Sequence, residues 1–161
     1  MEYICKNADA MEVKTDYAST LTVPVKPYIA AYLRREFGDP VNFSRQRGIN
    51  QFFCALMDRN YRRYDKKLST AAYSSEVTIS ISRDIMLRHG FSLSTTSVIA
   101  FNSLLEFIIK NRVRDVVRTR KVDAGMKVAP AIRQLQIDFG FDEDTFPYET
   151  IKKDLQRTLV F

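Results

Sequence analysis

Two short segments in which apolar and polar residues alternate constrain the fold of this chain most. Glu76, Val77, Thr78, Ile79, Ser80, Ile81 and Ser82 alternate strictly, which is the period of a strand with one buried face. Val77, Ile79 and Ile81 are expected inward, and Thr78, Ser80 and Ser82 outward. Leu21 to Lys26 shows the same pattern with Leu21, Val23 and Val25 inward. Pro24 removes one backbone donor, so this strand belongs at an edge or a bulge. The two segments form a weak internal repeat: Leu21 to Ile29 aligns with Val77 to Ile85, and each copy continues into Leu-Arg and a terminating Gly. Two such strands can pair as an antiparallel ribbon, with both apolar faces on one side and helices covering them.

The remaining periodicity is helical. Pro27 suits a first helical turn, and Tyr28, Ile29, Tyr32 and Leu33 recur at helical spacing up to Gly38. Val41, Asn42 and Phe43 read as a short extended piece, and Ser44 as a helix-starting residue. A long helix from about Arg47 or Ile49 to Lys67 would bury Phe52, Phe53, Leu56 and Met57. Arg83 to Arg88 is a short helical segment ending at His89-Gly90. Ser92 or Ser94 can cap a helix running to about Asp123 through Val98, Phe101, Leu105, Ile108, Ile109, Val113 and Val116. Helices of about Ala129 to Phe139 and Tyr148 to Leu159 follow, joined by Gly140 to Phe146. The expected class is α+β and mostly helical: a short two-stranded antiparallel ribbon packed by helices, with a C-terminal helix-turn-helix-like pair. Residues 1–18 read as an N-terminal arm, 19–125 as a strand-helix repeat core with a long basic helix, and 126–161 as the C-terminal helical pair.

Composition narrows the function classes. With 161 residues, 45% of them hydrophobic and 27% charged, the chain suits one compact domain or two small ones. No apolar run approaches the roughly 18 residues of a spanning helix, and the start at Met1 lacks a basic flank and apolar stretch, so no membrane association and a cytoplasmic location are expected. Cys5 and Cys54 read as packed thiols in a reducing compartment. His89 is the single imidazole and precedes a helix-ending Gly, so nucleophilic triads lack a base, and two Cys with one His cannot fill a structural zinc site. The five glycines are isolated, which leaves no phosphate-cradling loop. Asp142, Glu143 and Asp144 read as a solvated turn. A protein without cofactor or metal, and without enzymatic activity, is the expectation; only a divalent-ion nuclease, whose carboxylates can come from scattered positions, escapes these counts.

Charge points toward acidic partners. The formal net charge is +6, and it is segregated. Arg59, Arg62, Arg63, Lys66 and Lys67 cluster against a single Asp65, and a second cluster runs from Lys110 to Lys127, while the tail from Gln134 is acidic. At about 100° per residue, Lys110, Arg114, Arg118 and Lys121 share one stripe of the long helix opposite its apolar side. Such a stripe can follow a phosphate backbone; it is equally a solvated surface paired with Asp115, Asp123 or acids of the last helices. Arg112 falls among the apolar positions and must snorkel, pair or mark a bend. Thr22 and Lys26 with Thr78, Ser80 and Ser82 could reach base edges if a ribbon entered a major groove, although ordinary strand surfaces share this composition. Lys152, Lys153 and Arg157 project from the last helix in a manner compatible with a recognition helix or with an ordinary surface.

Two resemblances arise at these residues. The strand, helix, Gly, helix order in Val77 to Lys110, and more loosely in Leu21 to Tyr64, resembles tandem ribbon-helix-helix DNA-binding units fused into one chain. In outline the chain is also similar to small proteins of prophages and conjugative elements of Bacteroides-type bacteria. That similarity rests on Val23 and Val25 leading to Leu33, Phe37, Gly38, Pro40 and Val41, and on Ile137 to Asp144 with Ile151, Lys153 and Arg157. The second resemblance implies mobile-element biology, and with the segregated charge the expectation is a DNA-binding accessory or regulatory protein of such an element, contacting phosphates through the basic helical face. The alternative is a protein-interaction or assembly component, a homo-oligomer or a partner of phage proteins, with Phe52, Phe53, Phe139, Phe141 and Phe146 contributing to the contact surface.

Overall fold

The computed structural model describes residues 19–59 and 71–158. Along the chain these form β1 (Ser19–Val25), α1 (Pro27–Phe37), α2 (Arg47–Leu56), β2 (Met57–Asp58), β3 (Ser75–Ile81), α3 (Arg83–His89), β4 (Ser92–Leu93), α4 (Thr95–Val122), α5 (Val128–Phe139) and α6 (Tyr148–Thr158). The chain is therefore α+β and mostly helical.

The two alternating segments pair with each other: β1 and β3 form an antiparallel ribbon with Leu21 opposite Ile79, Val23 opposite Val77 and Thr22 opposite Thr78. Because successive side chains point to opposite faces, Val23, Val25, Val77, Ile79 and Ile81 are all buried, with Leu21 partly so. α1 and α4 pack against that inner face. The edge position expected for Pro24 is observed, and its reason is visible. The Asn102 side chain of α4 donates to the Pro24 carbonyl at 3.0 Å and accepts from the Lys26 amide at 3.1 Å. This part of the β1 edge is thus satisfied by a side-chain amide instead of a third strand, and the donor that proline lacks is not needed for pairing with β3. On the other side Val41 makes a parallel bridge to Ile79, its amide donating to Thr78 at 2.7 Å and its carbonyl accepting from Ser80 at 2.8 Å.

The helix after each strand differs between the two copies. α1 starts on Pro27, buries Tyr28, Ile29, Ala30, Tyr32 and Leu33, and closes where the Gly38 amide reaches Arg34. α3 is seven residues long, is capped by the Ser82 hydroxyl on the Ile85 amide, and has no buried side chain. It ends at Gly90 with φ +107, where an added Cβ would lie 2.1 Å from the Asp58 carbonyl oxygen; only glycine allows that approach. The contact exists because β2 pairs with β4, Met57 opposite Leu93 and Asp58 opposite Ser92.

That small pairing also corrects the long helix expected to reach Lys67. α2 stops at Leu56 because Met57 turns extended (φ −70°, ψ 146°) to enter β2, so tertiary pairing overrides a helical run of apolar residues. Arg62, Arg63, Lys66 and Lys67, like residues 1–18, lie outside the described residues. Ser44 does not cap α2: the cap position is Gln46 without a side-chain bond, and the Ser44 amide is held by Asn42 Oδ1 at 2.9 Å.

α4 is 28 residues long and capped by Ser94 on the Ser97 amide, Ser92 being taken into β4. α5 and α6 are joined by a turn that opens on Gly140 in the left-handed region (φ 68°). Asp142 organises it by accepting from the Asp144 and Thr145 amides, and the buried Gln136 donates to the Phe146 carbonyl at 3.1 Å. Both helices share the core of the ribbon unit: Tyr32 meets Phe139 of α5 edge-on at 5.5 Å, Tyr28 stacks on Phe146 of the turn at 4.6 Å, and Ile151 and Leu155 of α6 join the same cluster. Phe53, Phe139, Phe141 and Phe146 are buried in that core and Phe52 packs against it, so these five do not form the partner surface envisaged for them. Aromatic residues at helical spacing are filling the interior. No helix among the described residues is long and apolar enough to cross a membrane.

Candidate nucleic-acid interface

The cationic side of α4 is largely engaged within the molecule. Lys110 reaches Glu106 Oε1 at 2.7 Å, and Lys26 takes the other oxygen of the same carboxylate at 2.5 Å. Arg114 grips Asp154 of α6 with two bonds of 2.9 Å and donates a third to Asn111 at 3.1 Å. Arg120 bonds Asp138 of α5 and, at 3.2 Å, the Ala131 carbonyl. Lys121 also has a partner, and Lys152 lies 3.4 Å from Glu149. Of the residues expected to meet DNA on this side, Lys110 and Arg114 are therefore held in ion pairs within the molecule, and Lys26 pairs with Glu106 of α4. Arg118, Lys153 and Arg157 are exposed and make no ion pair with any described residue.

The geometry of a long helix explains the discrepancy. The buried residues Val98, Phe101, Leu105, Ile109, Val113 and Val117 settle into steps of four, and each such step rotates the buried face by about 40° because four residues overshoot a turn. Over the length of α4 the apolar stripe winds toward the side where Arg114 and Arg120 stand. Those arginines thus flank the seams with α5 and α6, and their acids meet them there. The same drift moves Arg112 out of the apolar face, and it is exposed; Ile108 and Val116 are only half-buried, while Val117 takes the core position.

These pairs are half-buried and electrostatically committed. Burial alone would raise the Glu106 carboxyl, but hydrogen bonds from Lys110 and Lys26 bring it below the usual carboxylate range. Asp138 is likewise held low, by Arg120 first and Gln134 second. Beside them the Tyr28 hydroxyl is buried without a hydrogen-bond partner among the described residues; burial, and then the negative charge of Glu106, push its pKa up. The cluster binds the β1–α1 junction, α4 and α6 together.

The outer face of the ribbon is arranged differently. Residues directly opposite on paired strands share a face, so Thr20 with Ser80 and Thr22 with Thr78 stand side by side on the face away from α1 and α4. Thr20 and Thr22 are exposed, and Thr78 and Ser80 half-exposed. The Val41 bridge extends this surface: with Val41 buried, the exposed Asn42 falls on the outer side. Beyond it a cleft of about 210 Å³ is lined by Asn42, Phe43, Ser44, Asn50, Ser80 and Ser82, together with Ile85. An adjoining cleft of about 400 Å³ shares Asn42 and Ser44 with it and includes Glu36 and Arg45. Arg45 lines the second cleft, Arg47 begins α2 two residues later, and Arg83 follows Ser82 of the first cleft; all three are exposed and have no ion pair with any described residue. None of these three arginines stood out in the sequence, because they are scattered singly and only the Val41 bridge and the ribbon's end bring them near one surface.

The remaining candidates are quiet. His89 is exposed at the end of α3, and Cys54 is buried with its thiol pushed up by that burial. Arg59 donates to the Arg88 carbonyl at 2.8 Å. No group of His, Cys, Asp or Glu able to hold a metal is present among the described residues. No protein-family model matches the chain, and no curated protein or solved structure matches it.

Proposed function

We propose that this chain is a non-enzymatic DNA-binding protein that presents the outer face of the β1–β3 ribbon to a duplex. The observation that carries the reading is the row of small polar groups, Thr20, Thr22, Thr78 and Ser80, bordered by Asn42 and by the exposed Arg45, Arg47 and Arg83. A major groove admits a two-stranded ribbon, and hydroxyl and amide groups match base edges. Arginines at the border suit flanking phosphates, and the formal net charge of +6 favours the encounter. An accessory or regulatory role in a prophage or conjugative element is part of this proposal. Arg118, Lys153 and Arg157 belong to the helical layer and give way to the ribbon border as the principal phosphate contacts.

The test is fluorescence anisotropy of a labelled duplex with the full chain. For about three phosphate contacts, affinity should fall roughly 40-fold between 50 mM and 200 mM salt. Absence of binding at the lower salt, or affinity indifferent to salt, overturns the proposal. A second reading, protein assembly, draws on the exposed apolar residues Leu87 (69% exposed), Phe91, Ile99 and Phe107 (63%). It requires a stable oligomer in the absence of nucleic acid, which sedimentation would detect.

A further inference from the structure

The sequence repeat and the strand register coincide at one residue pair. The alignment that places Leu21 on Val77 places Thr22 on Thr78, and Thr22 is also opposite Thr78 across the ribbon. An antiparallel pair has a local two-fold axis through any pair of opposed residues. At Thr22 and Thr78 that axis also exchanges the two copies of the repeat: Leu21 opposite Ile79 is carried onto Val77 opposite Val23, and the apolar face is preserved.

The outer face is not preserved. The same rotation exchanges the pair Thr20 and Ser80 with the pair Glu76 and Pro24. One end of the ribbon presents two hydroxyls and continues to Ser82 and Arg83; the other presents the exposed Glu76 carboxylate opposite a buried proline, has Arg34 donating to the Glu76 carbonyl at 2.7 Å, and continues to Lys26, which is held by Glu106. Val41 and the arginines Arg45 and Arg47 accompany the β3 side alone. The following helices diverge as well, α1 with five buried residues and α3 with none. A symmetric backbone therefore carries two chemically different ends.

We infer that one chain supplies both halves of the ribbon and reads a single asymmetric duplex site, with the base contacts concentrated at the Thr20 and Ser80 end and the Glu76 end turned from phosphates. The inference rests on the DNA-binding reading and specifies its substrate: a non-palindromic duplex bound by one chain. A carboxylate on the groove-facing surface repels the polyanion at its own end, while paired hydroxyls can discriminate bases at the other.

Selection of duplexes from a random library by the full chain, followed by sedimentation of the complex with the selected duplex, tests it. A motif without internal two-fold symmetry and one chain per duplex are expected. In the T20A/S80A variant the preference for the selected over a scrambled duplex should fall roughly tenfold or more, whereas E76A should keep it. A palindromic motif bound by two chains, or equal loss of preference in T20A/S80A and E76A, overturns this inference while leaving DNA binding intact. Retention of no duplex overturns both.

Discussion

The α4–α6 seam and the outer face of the ribbon both hold polar and cationic side chains, yet they hold them in opposite states. At the seam Arg114 makes two bonds to Asp154, and Lys110 and Lys26 share Glu106; charge there fastens helices to one another. At the ribbon, Arg45, Arg47 and Arg83 are exposed with no ion pair to a described residue, near hydroxyl-bearing residues that stand opposite one another in the strand register. Counting cations along a sequence gives the seam the greater weight, since its residues are clustered. What decides availability is where the acids fall in three dimensions, and they fall at the seam.

Charge reversal should separate the two regions most sharply. R114E places a carboxylate against Asp154 in a half-buried site and is expected to lower the unfolding free energy by about 3 kcal/mol in urea denaturation. A loss under about 0.5 kcal/mol would mean that the seam does not hold the helices. E106Q should cost less, about 1–2 kcal/mol at neutral pH, because Lys26 and Lys110 keep a neutral acceptor. Its cost depends on pH with a definite sign. The folded-state pKa of Glu106 lies below the ordinary value of 4.5, so its contribution is full above that value and disappears as pH falls through the folded value. Denaturation midpoints of the wild type and E106Q should therefore draw together as the pH is lowered below 4.5; a difference that does not shrink there contradicts the pairing. At the ribbon, R45E/R47E/R83E should change stability by no more than about 0.5 kcal/mol, as for exposed positions generally.

The ribbon was legible because its signal is local. A period of two fixes the inward set Val77, Ile79 and Ile81 from consecutive residues, and the repeat indicates which strand it pairs with. Helix caps such as Ser94 and the glycine ends were legible for the same reason. The seam was not: placing Arg114 opposite a fixed apolar side assumes a straight stripe along α4, and a stripe advancing by fours turns the side chain toward α6. Asn102 gave no signal either. A lone amide among apolar positions becomes informative only when Pro24 and Lys26, far away in sequence, turn out to be its partners. The end of α2 depended on β4, more than thirty residues ahead, so the continuous helical pattern around Met57 concealed it.

The most direct measurement sets the two surfaces against each other in one binding assay. Affinity for a labelled duplex at low salt is compared among the wild type, R45E/R47E/R83E at the ribbon border and R118E/K153E/R157E on the helical layer, with folding of each verified by circular dichroism. The account predicts that the first triple reduces affinity by roughly 100-fold or more, as expected from removing and reversing about three phosphate contacts, and that the second reduces it by much less. A duplex held normally by the ribbon-border variant and released by the helical-layer variant would contradict it.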